Sequence, residues 1–215
     1  MEIQKLDVSK PEEERVANRS FLYSLFSRGF RFPSQEQCES VKAGKFADEV
    51  QGAIGNLPYG GFQSLALGRG EGMSYEEFQG NFIALFEVGG AQGPPSFLYE
   101  GEFGGGRMKV MEEVLRFYHH FGLRISEEKR DRPDHLASEL EFMHLLTFKD
   151  TEAVTQGKDR GAYLKAEQDF LRFHLGGFVA AVASRVGSRG IPFYSDLANL
   201  VDGFCQKDLA YLATA

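Results

Sequence analysis

The sequence predicts an all-α fold: a helical bundle of about eight to ten helices, forming one domain over residues 1–215. Three observations predict it. Apolar residues recur at three-, four- and seven-residue steps along most of the chain. No stretch alternates apolar and polar residues over a useful strand length. Apolar residues make up 42% of the 215, enough for a substantial core.

The elements follow in order. Residues 12–30 place Val16, Tyr23, Phe26 and Phe30 on one helical face, and Pro33 stops that helix. A weaker helix is expected over 35–54, ended by "NLPYGG" at 56–61. Ser74 followed by Glu77 reads as a capping box. Tyr75, Phe78, Phe82, Leu85 and Phe86 form the apolar stripe of the helix it opens, which Gly89 and Gly90 end. "AQGPPSFLYEGEFGGG", residues 91–106, is a long central loop by composition, and such loops inside a domain are usually functional or mobile. A helix over 107–121 is predicted to carry Met108, Met111, Leu115 and Tyr118 on one face. "DRPDHLASELEFMHLL" opens the next helix, roughly 133–149, with Pro133 in its first turn and Leu136, Leu140 and Met143 inward. Two more helices are expected over 159–187, interrupted near Gly176-Gly177, and a last one over 193–212.

Composition excludes several function classes. The net charge is −7 and no basic stripe is present, which argues against a nucleic-acid partner. No apolar run reaches the length of a membrane span, so stable membrane insertion is not expected. The opening "MEIQKLDVSKPEEER" is rich in acids and lacks an apolar stretch, so it reads as neither a signal nor a transit peptide. The expectation is a soluble, cytoplasmic protein. Cys38 and Cys205 are too far apart for a metal knuckle and too few for a disulfide framework, so two reduced thiols are expected.

Candidate chemistry is sparse. Glu141 and His144 form a Glu-x-x-His pair on one helix face, an arrangement that di-iron bundle proteins use twice, with two further glutamates. No second copy occurs here. His135 and Glu139 are one i,i+4 pair without an obvious third ligand, and such pairs are more often helix-surface contacts. There is no G-x-S-x-G, and neither cysteine lies near a histidine in sequence. Asp134 is placed to tune His135 as a base, but no electrophile-binding partner is evident. "GEFGGGRMK" precedes a helix yet lacks phosphate-loop spacing and a preceding strand. No catalytic residue, metal or cofactor is therefore expected. An all-α enzyme or metal protein centred on His135, Glu139, Glu141 and His144 stays open as an alternative, as does a generic helical adaptor.

The loop carries the stronger signal. "PPSFLYE" joins rigid prolines to Phe97, Leu98 and Tyr99, and apolar patches of that kind mark protein–protein sites. The competing reading is that these aromatics pin the loop to the core. Asp134 and His135 likewise have a structural reading, as partners of free N–H groups at a helix start.

These residues resemble a known family. "RPDHLASELEFM" is similar to the Pro-Asp-His-Leu signature of the dedicated molybdoenzyme chaperones of the TorD/DmsD/NarJ type, the redox enzyme maturation proteins. "RSFLYSLFSRGFRFP" resembles that family's first helix, with Arg19, Tyr23 and the terminating Pro33. "GPPSFLYEGEFGGGRMKVMEEVLRFYHHFGL" resembles its central loop and following helix. The match covers about 10 to 150, and "LYEGEF" and "ELEFM" are most similar to the chaperones of type II dimethyl-sulfoxide-reductase-family enzymes. The resemblance implies a cytoplasmic, non-enzymatic chaperone, a monomer or a dimer. Its partner would be the apo catalytic subunit of a molybdenum enzyme, together with that subunit's twin-arginine signal peptide. It implies a peptide-binding surface made of Pro94, Pro95, Tyr99, Pro133, Asp134 and His135. Relatives often carry a tryptophan near the loop; this chain has none, and Phe97 or Phe103 is expected to take that place. Arg132 stands where some relatives have an aromatic residue. From the residues themselves, Glu100, Glu102 and Asp134 are expected to face the arginines of a leader.

Overall fold

A computed structural model describes residues 8, 10–60, 67–68, 70, 72–89, 93–124 and 132–214. Among them lie nine α-helical segments: α1 (Pro11–Gly29), α2 (Gln35–Lys42), α3 (Lys45–Gly55), α4 (Tyr75–Phe86), α5 (Arg107–His120), α6 (Leu136–Thr155), α7 (Gly161–Phe170), α8 (Gly176–Val186) and α9 (Tyr194–Leu212). The all-α expectation is borne out. Most of the N-terminal stretch, Gly90 as a helix stop, residues 91–92 of the central loop and Asp131 lie outside the described residues.

Helix starts follow local chemistry. Ser74 caps α4 as expected: its hydroxyl accepts from the Glu77 N–H at 3.1 Å and the Glu77 carboxylate accepts from the Ser74 N–H at 2.7 Å. Pro11 opens α1, where its missing N–H is no loss. Four expectations need correction. The helix expected over 35–54 splits in two, because Gly44 adopts a left-handed φ of 74° between α2 and α3. In α5, Met108 is 74% exposed. The buried stripe is Val110, Val114 and Tyr118 at four-residue steps, and Tyr118 meets Phe142 of α6 and Phe170 of α7. α6 starts at Leu136, so Pro133 lies in the preceding turn rather than in the helix. The chain does not break at Gly176-Gly177. Instead α7 and α8 join through a π turn, Leu171–Leu175, into one rod. Gly176 is required there, since a Cβ would sit 2.5 Å from the Leu171 carbonyl oxygen.

α1 and α6 form the central pair, and both are buried on more than one side. Short polar contacts lock their register. Ser27 donates to the Ala137 carbonyl at 2.8 Å, and the Ser20 hydroxyl lies 2.8 Å from His144 Nδ1. Gly29 lets α9 approach, as a Cβ there would meet Leu197 at 2.6 Å. The phenylalanines fill the space between helices. Phe30, Phe82, Phe86, Phe78 and Tyr194 pack ring against ring, mostly edge to face, between α1, α4 and α9. Phe117, Tyr118, Phe142 and Phe170 do the same between α5, α6 and α7.

A fully buried cation ties four helices. Arg19 of α1 donates to both Asp208 oxygens of α9 at 2.6 and 2.9 Å and to Glu167 of α7 at 2.6 Å, and lies 3.6 Å from Asp150 of α6. Tyr23 and Tyr59 donate to Asp208 as well, at 2.8 and 3.0 Å. Burial pushes Glu167 up to about 7, although the Arg19 charge pulls the other way. Among the described residues, no helix is long and apolar enough to cross a membrane.

Candidate functional site

The central loop is anchored to the start of α6. The Leu136 N–H donates to the Leu98 carbonyl and the Glu100 N–H to the Asp134 carbonyl, both at 2.9 Å. Together they make an antiparallel bridge between Tyr99 and His135. Two segments that the sequence singled out separately thus meet here. The other end of the loop is tied to α4 by the Ser96 N–H on the Leu85 carbonyl, at 3.1 Å. Tyr118 of α5 supports the site from below, its hydroxyl donating to the Pro133 carbonyl at 2.9 Å.

His135 is the N-cap of α6. Its Nδ1 accepts from the Ala137 N–H at 3.1 Å, which places any single ring proton on Nε2. Its ring meets Tyr99 edge to face, with centroids 5.1 Å apart. Asp134 is fully buried and acts as a brace. It accepts from Arg132 Nε at 3.0 Å and Nη2 at 2.7 Å, and from the Gly101 N–H at 3.0 Å. Gly101 admits this approach because a Cβ would lie 2.9 Å from Arg107 Cα and 3.1 Å from the Asp134 carboxylate. Arg132 also donates to Glu102 at 2.8 Å and lies 4.4 Å over the Tyr99 ring. Arg107 reaches the same Glu102 oxygen at 2.7 Å. These hydrogen bonds and charges, Arg132's first, pull Glu102 below the ordinary carboxylate range.

A second layer lies beneath. Glu100 faces His174, whose Nδ1 is 3.1 Å from Oε2. The π turn presents that imidazole inward while Phe173 beside it is exposed. Glu139 is fully buried near Glu100 and Asp134, and neither of its oxygens has a hydrogen-bond partner among the described residues. Burial first, then the charges of Glu100 and Asp134, push its pKa well above the carboxylate range.

The expected site residues therefore share one region, with different exposures. Pro94, Pro95, Phe97, Tyr99 and Pro133 are half-buried, with edges toward solvent. Phe97 packs back on its own loop, over Gly93, whose φ is 82°. Phe103 rests on Phe178 at 5.3 Å, with Arg185 4.2 Å over its ring. Glu100, Glu102 and Asp134 already have partners within the chain. His174, the pair Arg132 and Arg107, and the Gly101 N–H hold them. Arg132, His174, Glu139 and Arg185 are the residues that sequence reasoning did not place in this site. Arg132, beside the signature, and Glu139, four residues after His135, offered a signal.

The residues of the metal-centred alternative are engaged separately. Glu141 pairs with Arg31 at 2.6 Å, His144 with Ser20, His135 with the Ala137 N–H, and Glu139 lies in the buried acid layer.

Comparison with known proteins adds the lineage. The model of the family described as nitrate reductase delta subunit matches residues 57–184, which takes in the loop, the bridge and the His174 turn. The chain belongs to this family. It is 31% identical over 199 residues to the perchlorate reductase assembly chaperone protein of Dechloromonas aromatica (strain RCB), covering 89% of this chain and 88% of that one. It is 36% identical over 116 residues to the selenate reductase assembly chaperone protein of Thauera selenatis, covering 53% of this chain and 60% of that one. The chlorate reductase assembly chaperone protein of Ideonella dechloratans is 34% identical over 132 residues, covering 60% and 65%. The latter two matches span less than two thirds of those relatives' length. The resemblance to the TorD/DmsD/NarJ type, and to its type II subgroup, is borne out.

Proposed function

We propose that this protein is a cytoplasmic, non-enzymatic maturation chaperone for a molybdopterin-containing oxidoreductase. It binds the apo catalytic subunit, and that subunit's twin-arginine signal peptide, until cofactor insertion and assembly are complete. The observation that carries the proposal is the similarity, over 89% of the chain, to a protein named as a reductase assembly chaperone. The geometry fits it. The bridge between Tyr99 and His135 presents prolines, aromatic edges and a charged rim on one braced surface. Such a surface suits an extended or helical segment that brings its own apolar anchors. Pro94, Pro95, Phe97, Tyr99, Glu100, Glu102, Phe103, Pro133, Asp134 and His135 form the client surface in this proposal. The half-buried rings make contact, and Asp134, Glu100 and Glu102 brace the loop beside them.

The test is co-purification with the catalytic subunit of each molybdenum enzyme of the host, before and after cofactor loading. A complex with one apo subunit, lost on loading and weakened by combined Tyr99→Ala and Phe103→Ala, is the expected result. Absence of any such complex, with full enzyme maturation in a strain lacking this protein, would overturn the proposal.

A further inference from the structure

Two arginines are held in similar ways but with different access. Arg19 is fully buried among Asp208, Glu167 and Asp150, with its guanidinium 5.3 Å over Tyr211. Arg132 has a bidentate carboxylate in Asp134, a second acceptor in Glu102 and the Tyr99 ring face at 4.4 Å, yet its side chain is 26% exposed. Opening the Arg19 cluster would strand charges in the core. The Arg132 clasp opens toward solvent, so a second guanidinium can enter as the first leaves, and Asp134 is never left bare.

The clasp is built for that one chemical group. Each of the three nitrogens of Arg132 meets a carboxylate oxygen, and the flat face of the group covers a ring. An ammonium has neither the planar fork nor the stacking face. The acceptors are fixed from behind: the Gly101 N–H holds Asp134, and Arg107 holds Glu102. The ring is fixed by the bridge to His135.

We propose that Tyr99, Asp134 and Glu102 form a guanidinium-binding subsite that Arg132 occupies as a self-ligand in the free protein. An arginine side chain of the bound polypeptide takes the subsite by displacing Arg132. The inference rests on the proposal that this surface receives a client with an arginine-bearing segment, and it adds the seat of one arginine and a built-in competitor. Self-occupancy lowers apparent affinity by the fraction of molecules with the subsite open, so a subsite filled nine times in ten weakens an incoming arginine on the order of tenfold.

The experiment uses Arg132→Ala in the full chain, with small probes and no client. Methylguanidinium should raise the melting temperature of Arg132→Ala and leave the unmodified protein unmoved, while equimolar methylammonium does neither. Adding Tyr99→Leu should abolish the response. N-acetyl-arginine amide should bind Arg132→Ala on the order of tenfold tighter than the unmodified protein. It should also release the Arg132 Nε–H of the unmodified protein into fast solvent exchange. Equal responses of the two proteins, or an Nε–H still protected at saturation, overturn the proposal. If Arg132→Ala does not fold, Arg132→Lys serves with the same expectations, since it keeps a charge beside Asp134 without the fork. Because no readout contains a client, failure here is distinct from failure to capture an apo subunit.

Discussion

Asp134 shows how one side chain joins two parts of the site. It is fully buried, and its three accepted hydrogen bonds link the loop, Arg132 and the approach to α6. Asp134→Asn keeps the size but removes the charge that two of those donors require. It should lower unfolding stability by about 1–3 kcal/mol, read by urea denaturation. Client affinity should fall with it, through a loosened loop and a weakened seat for an incoming guanidinium. Glu139 gives a prediction of opposite character. Its raised pKa means the folded protein holds this proton more tightly than the unfolded chain does. Its contribution is full below the ordinary carboxylate pKa and is lost as pH rises through the raised folded value. Glu139→Gln should therefore flatten the limb of the stability–pH curve that falls above the ordinary carboxylate pKa, measured as the urea midpoint from that pH upward. An unchanged limb would remove Glu139 from the account. The residue types of this site were legible in the sequence: the prolines, Tyr99, Asp134 and His135 all stood out. Their directions were not. Nothing local says that an acid beside a proline turns inward toward Arg132.

At the level of elements, the π turn has a definable role. It joins α7 to α8 without a break and presents His174 to Glu100 while Phe173 faces out. A π turn holds one residue more than an α turn. Deleting Phe173 should restore a regular rod while turning His174 off the loop. Hydrogen exchange over residues 98–102 should then quicken, with far-UV helicity unchanged; unchanged exchange would separate the turn from the loop. The α4 cap is simpler. Ser74→Ala loses the bond to the Glu77 N–H and should cost about 1 kcal/mol in thermal unfolding. That cap was readable because its two partners lie three residues apart. The π turn was not, since two adjacent glycines look like a helix break when only the neighbouring sequence is considered.

At the scale of the whole molecule, Arg19 holds the bundle's register. Its partners lie on α6, α7 and α9, up to 189 residues away. Arg19→Met strands Asp208 and Glu167 in the core and should destabilise by about 3–5 kcal/mol, visible as a lower melting temperature and a weaker hold on any client. That network keeps α1 beside α6, and so keeps the start of α6 where the loop can bridge to it. The sequence by itself determined the helical class, most helix boundaries, the capped start of α4 and the two segments that form the site. Each of these depends on residues within a turn or two of one another. Only the tertiary structure decided that Tyr99 pairs with His135, that Arg132 fills the acidic clasp, and that His174 lies against Glu100. A periodic pattern tells which face of a helix is apolar but not which distant segment that face, or a charge beside it, will meet.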